Sequence, residues 1–449
     1  MTEKLNDPGC IECRLVVIEV NSMKILTTAS AAGPSLPRES IPAYTRAAEA
    51  LTGAIEQKYG LRTIQLAILP RTEEVSYCAV HEILGSQEEV HGLLSFAALD
   101  EVAHSELTET ERATVLKVIK GDARELGRFA RVGWIHELLA KADIDRGQNP
   151  MPLIRHLNQG IDFCLLSLTD LTGRKIWFKA VGKPNTCEYG LTAELARRFP
   201  AYLPRILTTI PEWNGWVTKN IEGPPLSELD LLAHCEEALS VLAIMQIAMV
   251  GNMASLSALG AKDWTCRRIA SLSEPFFSDS QKAMEAQVST RSRPLGRSEL
   301  HRLKKDVESA LQEFSDGGIP ETLVHGDIGH GNIIITLNGP VFLDWAETYV
   351  GHPFLSAEHL LADLARSNPL AGRESPLRSH YAAHWRTIVR PEVLKNVTRL
   401  APAISAFAYA VMAWEANRCR QDPTLVWPLV RSMLRRTKRE LEHESEAIS

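Results

Sequence analysis

Long apolar runs, closely spaced cysteines and excess positive charge are all scarce in this chain. No run approaches the roughly 18 consecutive apolar residues that a membrane helix needs, so we expect no membrane span. The first residues contain no apolar stretch, and we therefore expect no signal peptide. Of the eight cysteines only Cys10 and Cys13 are closely spaced, which is a weak zinc signal; the alternative is two thiols near a strand. These absences favour a protein of the reducing cytoplasm.

Net charge and composition exclude two further classes of protein. The 49 basic residues are outnumbered by 55 acidic ones, and because binding to a phosphate backbone needs a basic surface, we expect no nucleic-acid partner. The hydrophobic fraction of 45% excludes a disordered chain. A length of 449 residues predicts two or three domains. No sequence pattern indicates the oligomeric state.

Hydrophobic periodicity divides the chain into three regions. Residues 1–145 alternate predicted strands and helices and form an α/β module. Residues 150–220 carry strands with one helix, and residues 221–449 are mostly helical with one hairpin. Turn-forming residues at 146–150 mark the first boundary. The other predicted elements are strands at 14–20, 64–69 and 75–83, helices at 42–58 and 108–129 (the second with a capping box at Thr108 and Glu111), and a Ser-rich loop at 271–297.

The most informative segment is the stretch 323–345. An Asn-Gly dipeptide at 338–339 lies midway between two apolar runs, which is a strong hairpin signal. If the turn centres there, Ile333 lies opposite Asp344, and Asn332 joins Asp344 at the open end of the hairpin. Cross-strand neighbours are roughly 5 Å apart. A carboxylate and an amide oxygen at that distance can share a hard cation such as Mg²⁺.

Asp327 lies five residues before Asn332, in a glycine-rich loop that enters the same strand. Gly326, Gly329 and Gly331 allow the tight backbone that such crowding needs. One short segment therefore brings two carboxylates and an amide to one place. Phosphoryl transfer requires this arrangement, because the protein mainly positions an acceptor hydroxyl, orients it with a carboxylate and neutralises phosphate charge with metal. The alternative is a surface hairpin with incidental acids.

The spacing HxDxxxxN followed by an Asp resembles the catalytic and metal-binding loops of protein-kinase-like enzymes. The forms His-Gly-Asp and Asp-Trp resemble the aminoglycoside phosphotransferase and choline kinase branch. The resemblance covers about 150–430 and implies an α+β, kinase-like bilobal fold, with a small antiparallel sheet lobe and a helical lobe, preceded by the separate α/β module. It implies ATP and Mg²⁺, with Asp327 as the catalytic carboxylate, Asn332 and Asp344 as metal ligands, and His325 as a structural residue.

A kinase-like enzyme also needs a strand lysine for the α- and β-phosphates, paired with a helix glutamate. Lys179 lies in the middle of an otherwise apolar strand, where a lysine is costly unless it is paired; the alternative is an edge-strand lysine that faces solvent. On the following helix Glu188 shares a face with Leu191 and Leu195, whereas Glu194 lies on the polar face. We therefore predict the pair Lys179–Glu188, although Glu188 also fits a capping box.

Two further segments complete the predicted nucleotide site. Lys219, Asn220 and Ile221 end a strand before a Gly-Pro-Pro break and resemble the linker between kinase lobes. We expect backbone groups of these three residues to bind the adenine; the alternative is a plain strand-to-helix loop. The phosphate-covering loop is expected at 158–160, between the first two strands of the small lobe, although it lacks GxGxxG.

The expected activity is transfer of the γ-phosphoryl group of ATP to a hydroxyl of a small molecule, because no Ala-Pro-Glu end of a protein-kinase activation segment follows Asp344. The resemblance implies an aminoglycoside, aminosugar or choline-like acceptor. Glu347, Glu358 and Asp363 are candidates for binding such a cation; the alternative is that they lie on solvated helix faces. The rival function is a nucleotide-binding pseudoenzyme with a regulatory role, which the full set of expected polar residues disfavours.

The first region faintly resembles a Nudix fold, with a helix that ends at Gly60 between strands. The Nudix box requires Arg-Glu and paired glutamates, but the aligned positions are Gly53, Ala54, Gln57 and Lys58. We therefore do not expect pyrophosphohydrolase activity. The alternative is an unrelated α/β module, and either one can serve partner recognition or regulation.

Overall fold

A computed structural model of the protein describes residues 9–29, 33–43, 45–69, 77–85, 94–144, 151–229, 232–366, 372–418, 420 and 422–448. The chain forms two compact units. The first contains Met1–Tyr189 and Arg205–Asn220, and the second contains Gly190–Pro204 and Ile221–Ser449. The division after Asn220 lies inside the segment that was predicted to link two lobes.

The first unit begins with a six-stranded sheet and three helices. Its elements are β1 (Cys10–Glu19), β2 (Lys24–Thr28), β3 (Arg38–Pro42), α1 (Ala47–Tyr59), β4 (Thr63–Leu69), β5 (Tyr77–Ile83), β6 (Leu94–Ala97), α2 (Glu109–Lys120) and α3 (Trp134–Lys141). The strand order is β4-β5-β1-β2-β6, and β3 also pairs with β1. Strands β1 and β5 are parallel, whereas the other pairs are antiparallel.

Helix α2 begins where the sequence predicts but ends earlier. The Thr108 hydroxyl accepts a hydrogen bond from the N–H of Glu111, and the Glu111 carboxylate accepts one from the N–H of Thr108, so the capping box is confirmed. Gly121 adopts a left-handed φ of 76° and ends the helix at Lys120. The predicted extension to residue 129 is therefore wrong.

A five-stranded antiparallel sheet completes the first unit. Its strands are β7 (Leu153–Gly160), β8 (Phe163–Thr169), β9 (Lys175–Ala180), β10 (Ile206–Ile210) and β11 (Gly215–Lys219), in the order β10-β11-β9-β8-β7. Helix α4 (Glu188–Arg198) follows β9, and its residues from Gly190 onward belong to the second unit. The predicted hairpin turn at 170–173 is confirmed, because the Asp170 carboxylate accepts hydrogen bonds from the N–H groups of Thr172 and Arg174.

The two sheets of the first unit share one hydrophobic core. Phe129 and Trp134 precede the predicted boundary, whereas Phe178 and Trp213 follow it, and the centroids of their four rings lie 4.8–6.4 Å apart. The predicted boundary itself, at 146–150, lies outside the described residues. The division into three domains stays a prediction. The packing of these four rings joins the first two predicted domains.

The outer edge of β4 is covered by side chains of β7. The His156 Nδ1 accepts a hydrogen bond from the N–H of Gln65 at 3.1 Å, and Gln159 donates to the carbonyl of Leu66 at 2.6 Å. Burial lowers the pKa of His156 to about 3, so its ring stays neutral and can accept this bond. The contact protects an edge strand whose free backbone groups would otherwise invite pairing with another chain.

The second unit is mostly helical, as predicted. Its helices are α5 (Leu232–Ala248), α6 (Met253–Ala258), α7 (Cys266–Ser271), α8 (Ser273–Glu285), α9 (Arg297–Asp316), α10 (Phe354–Arg366), α11 (Glu374–His384), α12 (Pro391–Asn417) and α13 (Trp427–Ile448). Strands β14 (Ile333–Thr336) and β15 (Gly339–Phe342) form the predicted hairpin. A small sheet of β12 (Lys262–Trp264), β13 (Thr322–Val324) and β16 (Tyr349–Gly351) was not predicted.

The Ser-rich stretch that was predicted to be a loop contains helix α8. This helix buries Phe276, Phe277, Ala283 and Met284, which recur at helical spacing. Ser280 is also buried, at 1% exposure. The loop prediction is therefore wrong, because these apolar side chains form a stripe on one face of the helix and pack into the core.

Helix α12 is long and apolar enough to cross a membrane, judged by length and composition alone. However, 61% of its most apolar 18-residue window is buried inside the protein, where α12 packs against α9, α10 and α13. Such burial is typical of the core helix of a globular domain.

Candidate active site

Lys179 and Glu188 form a buried ion pair in the first unit. Lys179 lies on β9, between β8 and β11, so the alternative of an edge-strand lysine is excluded. Its Nζ is 2.5 Å from Oε1 of Glu188, and the two side chains are 16% and 2% exposed. Because separating a buried ion pair is strongly destabilising, this contact contributes to the stability of the fold. The predicted pair is present, and its role in binding phosphates stays a prediction.

Glu194 has other partners, as its place on the polar face of α4 predicts. It accepts hydrogen bonds from Arg197 and Arg198, and these bonds lower the pKa of Glu194 to about 2. Helix α4 begins at Glu188 itself, so the capping-box role that was open for Glu188 does not apply.

The hairpin of β14 and β15 has a different register from the one predicted. Ile333 pairs with Phe342 rather than with Asp344, so the turn centres on 337–338. The Thr336 hydroxyl stabilises this turn by accepting a hydrogen bond from the backbone N–H two residues later, at 3.0 Å. The predicted position of the turn was therefore wrong by one residue. The predicted pairing of Ile333 with Asp344 was wrong for the same reason.

The open end of the hairpin nevertheless joins the three predicted site residues. The N–H of Leu343 donates to the carbonyl of Asn332 at 2.8 Å, and Asp344 is the next residue. The Asn332 side-chain amide donates to the carbonyl of Asp327 at 2.9 Å. Asn332 thus ties the loop to the hairpin. Asp344 has a left-handed φ of 60°, a conformation that is rare for a non-glycine residue and concentrates at functional sites.

The side-chain chemistry at this end fits Mg²⁺. The Asn332 amide nitrogen is used in the bond to the Asp327 backbone, so its oxygen is the atom left for a cation. Mg²⁺ takes oxygen ligands and is commonly held by one or two carboxylates together with substrate phosphates and water. Asp344 and Asn332 supply such a set. In the described ranges no group of three or more His, Cys, Asp or Glu side chains is placed to hold a metal by itself.

The backbone before Asp327 is held by close contacts. Gly326 has a φ of 82°, and a Cβ at this position would lie 2.0 Å from the carbonyl oxygen of Glu347, so no side chain fits. The buried His325 donates from Nε2 to the carbonyl of Leu343 at 2.8 Å. Burial lowers the pKa of His325 to about 4, so the ring is neutral and braces the loop, in agreement with its expected structural role.

Sequence reasoning missed the contact that holds the other side of this loop. The Asp363 carboxylate accepts a hydrogen bond from the N–H of His330 at 2.8 Å and also contacts its imidazole. Burial alone would raise the pKa of Asp363, but the hydrogen bonds from His330 lower it overall. His330 lies between Asp327 and Asn332, so Asp363, on α10, positions the loop that carries these two residues. No local signal points to a contact between residues 33 positions apart.

The predicted adenine-binding segment is partly engaged in the sheet. The N–H of Lys219 donates to the carbonyl of Arg205 at 2.9 Å, and the N–H of Asn220 donates to that of Lys175 at 3.2 Å. These two N–H groups belong to the small sheet. The carbonyl groups of the segment and the backbone of Ile221 are therefore the candidates that remain for contacts with adenine.

The predicted position of the phosphate-covering loop, at 158–160, is wrong, and the turn that follows it is clamped. Residues 158–160 belong to β7, and the turn consists of the next two residues. The Asp162 carboxylate accepts hydrogen bonds from the N–H and Nε of Arg128, at 2.8 and 3.0 Å, and Arg128 also donates to the carbonyl of Glu212 at 3.2 Å. A Cβ at Gly182 would lie 2.7 Å from that of Asp162. The first region thus fixes this turn, a role the sequence did not reveal.

The three acids that were candidates for binding a cationic acceptor each have a basic partner. Glu358 accepts two hydrogen bonds from Arg378, and its side chain is 1% exposed. Glu347 lies 3.6 Å from Lys262, and Asp363 also pairs with its helix neighbour three residues on. The charge of Glu358 is therefore balanced within the protein, and the alternative of a solvated position is wrong for it. Glu347 and Lys262 form an exposed pair, so Glu347 stays in contact with solvent.

The sequence matches the model of the "Phosphotransferase enzyme family" over residues 105–388, which is more than half of the chain. The chain belongs to this family. The family match confirms the predicted resemblance and the α+β, kinase-like fold. It includes the predicted catalytic loop, the hairpin and the Lys179–Glu188 pair. It begins before α2, so α2, α3 and Arg128 fall within the family match rather than outside it.

Solved structures similar to the chain have low sequence identity to it. They include an ethanolamine kinase of Plasmodium vivax, with 12% identity over 68% of this chain and 85% of that one and a TM-score of 0.44. A choline kinase of Streptococcus pneumoniae has 14% identity over 69% and 99% of the chains, with a TM-score of 0.42. A macrolide 2'-phosphotransferase of Brachybacterium faecium has 14% identity over 66% and 98%, with a TM-score of 0.43. A comparison with curated proteins finds no match.

Proposed function

We propose that this protein is a cytoplasmic phosphotransferase that uses ATP and Mg²⁺ to phosphorylate a hydroxyl group of a small molecule. The observation that supports the proposal best is the hydrogen bond between the Asn332 side chain and the Asp327 backbone, at the open end of the hairpin that leads into Asp344. This bond joins a candidate base to one candidate metal ligand, and the backbone bond from Leu343 to Asn332 brings the other, Asp344, into the same segment.

In the proposed reaction Asp327 accepts the proton of the acceptor hydroxyl while that oxygen attacks the γ-phosphorus of ATP. The new bond joins the acceptor oxygen to phosphorus, the bond between the γ-phosphorus and the β-γ bridging oxygen breaks, and ADP leaves. Lys179, held by Glu188, binds the α- and β-phosphates. His325 and Asp363 do not touch the substrate in this scheme; they hold the loop that carries Asp327.

Asp344 and Asn332 are the proposed ligands of Mg²⁺, which when bound neutralises charge on the phosphates. Backbone groups between Lys219 and Ile221 are proposed to bind the adenine, with the N–H groups of Lys219 and Asn220 already used in the sheet. The resemblance to aminoglycoside phosphotransferases and choline kinases makes aminoglycosides, aminosugars and choline the first acceptors to test.

The test combines nucleotide binding with turnover. A specific ligand at a hundredfold excess over its Kd stabilises a protein by about 2.7 kcal/mol, so Mg–ATP should raise the melting temperature, and Asp344→Ala should largely remove this shift. GTP in place of ATP tests the choice of nucleotide. Asp327→Asn should keep the shift but lower kcat roughly 10²- to 10⁴-fold. Asp306→Asn, on the exposed side of α9, is the matched control.

Two outcomes would contradict the proposal. An undiminished Mg–ATP shift in Asp344→Ala would count against the metal site. Binding of ATP without phosphate transfer to any acceptor or to water, across a broad panel, would favour the nucleotide-binding pseudoenzyme instead.

A further inference from the structure

One amide side chain interrupts the buried apolar face of α5. Gln246 is 0% exposed, and Leu242, Ala243 and Met245 beside it on the helix are buried apolar residues. Burying an amide costs free energy unless its polar atoms find partners, whereas an apolar residue of similar shape avoids that cost. A glutamine at this position is therefore costly unless every one of its polar atoms is paired.

Every polar atom of the Gln246 side chain has a partner. The Nε2 group carries two hydrogens and donates to the carbonyl of Leu323 at 2.9 Å and to that of Pro353 at 3.2 Å. The Oε1 atom accepts a hydrogen bond from the hydroxyl of the buried Tyr381 at 2.6 Å. Two carbonyl groups on one side and a hydroxyl on the other fit an amide. A carboxylate has no donor for the carbonyl groups, and an apolar side chain has neither donor nor acceptor.

The first of the two carbonyl groups lies on the strand that enters the loop with Asp327. Leu323 is in the middle of β13, an edge strand of the small three-stranded sheet, and Asp327 follows four residues later. Thr322, on the same strand, donates from its hydroxyl to the backbone carbonyl of Gln246 at 2.8 Å. Hydrogen bonds from both neighbouring residues of β13 therefore tie this strand to α5 directly before the loop.

The second carbonyl group belongs to the segment that leads into α10. Pro353 directly precedes this helix. On α10 the Ser356 hydroxyl accepts a hydrogen bond from the N–H of His325 at 3.0 Å, and Asp363 accepts one from the N–H of His330 at 2.8 Å. Helix α10 therefore holds the loop at two places, and the amide on α5 fixes where α10 begins relative to β13.

We propose that Gln246 is a positioning residue for phosphoryl transfer, whose amide fixes β13 and α10 relative to each other and thereby holds Asp327 in place. The inference rests on the proposed function. Gln246 does not touch the substrate; it acts through the backbone of the two elements that hold the loop. A displacement of about 1 Å can lower a rate about 100-fold, so a buried contact behind the loop can control kcat. Lys179 and Asp344, the proposed contacts of the nucleotide and its metal, lie on other segments of the chain.

The experiment separates positioning from stability. Gln246→Met keeps the shape of the side chain but removes both donors, and it should lower kcat on the order of 10- to 100-fold while the KM for ATP changes little. Gln312→Met, at an exposed position on α9, is the matched control and should change neither. Phe277→Leu, in the buried core of the same unit, controls for lost stability. It should keep the kcat of the natural protein at a temperature where each variant is folded.

Backbone hydrogen exchange gives a readout that does not depend on turnover. In Gln246→Met the amides of residues 325–332 should exchange faster than in the natural protein, whereas in Gln312→Met they should not change. An unchanged kcat in Gln246→Met, an equal fall of kcat in Phe277→Leu, or unchanged exchange in the loop would each overturn the inference. The proposed function fails separately, if the natural protein transfers no phosphate to any acceptor or to water. The exchange comparison then still decides whether Gln246 holds the loop.

Discussion

At the residue scale, the pair of Lys179 and Glu188 shows why burial and charge must be considered together. Glu188 is almost completely buried, and Lys179 is the cation that its carboxylate contacts at 2.5 Å. The same pair that is proposed to position phosphates therefore also stabilises the fold. Its two roles can be separated, because stability depends on the balance of charge whereas phosphate binding depends on the lysine.

We expect Lys179→Met to lower the free energy of unfolding by about 3–5 kcal/mol, because it removes the ammonium group that the buried Glu188 carboxylate contacts at 2.5 Å. The double variant Lys179→Met/Glu188→Leu should recover most of this loss, yet neither variant should be stabilised by Mg–ATP as the natural protein is. Urea unfolding with and without Mg–ATP measures both effects. Glu194→Gln, which breaks the pairs with Arg197 and Arg198 at the surface of α4, should cost about 0–1 kcal/mol. A double variant as unstable as the single one would contradict this account.

Glu82, in contrast to Glu188, is a buried carboxyl that has no close ion pair within the part of the chain that the structure describes. It lies on β5 with 0% exposure and accepts a hydrogen bond from the N–H of Gly133 at 2.8 Å. Burial raises the pKa of Glu82 to about 7 from the ordinary 4.5, although that hydrogen bond and the charge of Arg131 oppose the rise. The folded protein therefore holds a proton that the unfolded chain has already lost.

The raised pKa of Glu82 predicts a specific pH dependence. Between pH 4.5 and about 7 the folded state binds more protons than the unfolded state at this site, so stability decreases as the pH rises through that window. Glu82→Gln removes this dependence of stability on pH. Its stability relative to the natural protein should increase by on the order of 1 kcal/mol per pH unit across the window and then level off.

Urea unfolding of both proteins at several pH values gives the measurement. Glu56→Gln, at an exposed position on α1, is the control and should differ from the natural protein by a constant amount. A constant difference for Glu82→Gln as well would show that Glu82 ionises normally.

At the scale of elements, the hairpin and the clamped turn show how short segments are positioned. The β14–β15 hairpin follows from two apolar runs and a turn, but the Thr336 hydroxyl selects the turn one residue earlier than the Asn-Gly dipeptide suggests. The turn between β7 and β8 has no Gly-rich motif. It is held instead by Arg128, which lies 34 residues from Asp162.

We expect Arg128→Ala to raise the KM for ATP about fivefold while kcat changes little. The loss corresponds to roughly 1 kcal/mol, the cost of ordering a turn that the guanidinium no longer holds. Arg128→Lys should restore little of this, because lysine cannot bond to Asp162 and the carbonyl of Glu212 with the same planar geometry. Steady-state kinetics over a range of ATP concentrations make the measurement.

Lys117→Ala breaks an exposed ion pair of the same unit and should leave the KM for ATP unchanged. Equal effects of Arg128→Ala and Lys117→Ala on the KM for ATP would contradict the proposed role of Arg128 in holding the turn. A fall in kcat alone would also contradict it, because the turn is proposed to act in binding.

At the scale of the whole molecule, the shared core joins regions that the sequence separates. The four rings of Phe129, Trp134, Phe178 and Trp213 pack across the predicted boundary near residue 145, and all are at most 7% exposed. A small lobe without the first region would expose this apolar surface. The first region therefore supports the proposed nucleotide-binding sheet, whatever further role it has.

We expect a chain of residues 151–449 to unfold at a much lower temperature than the full chain or to aggregate, because Phe178 and Trp213 lose their partners. In the full chain Trp134→Ala should cost about 3–5 kcal/mol, whereas Trp134→Phe, which keeps an aromatic ring, should cost less. Thermal and urea unfolding measure both. A stable, Mg–ATP-binding 151–449 chain would show that the predicted domain boundary is correct and the shared core dispensable.

The sequence by itself determined the local features of the protein. The loop with Asp327, the hairpin with its flanking Asn332 and Asp344, and the pairing of Lys179 with Glu188 follow from spacing, periodicity and the cost of burying a charge. Each depends on residues close together in the chain or on one strand and the next helix. The capping box of α2 is of the same kind.

Only the tertiary structure decided the contacts between distant segments. The hairpin register, the bond of Asp363 to the loop that carries Asp327, the clamp of Arg128 and the charge balance of Glu358 depend on packing. Side chains far apart in sequence meet only because buried apolar surfaces bring their elements together, and no local pattern encodes which of them then meet.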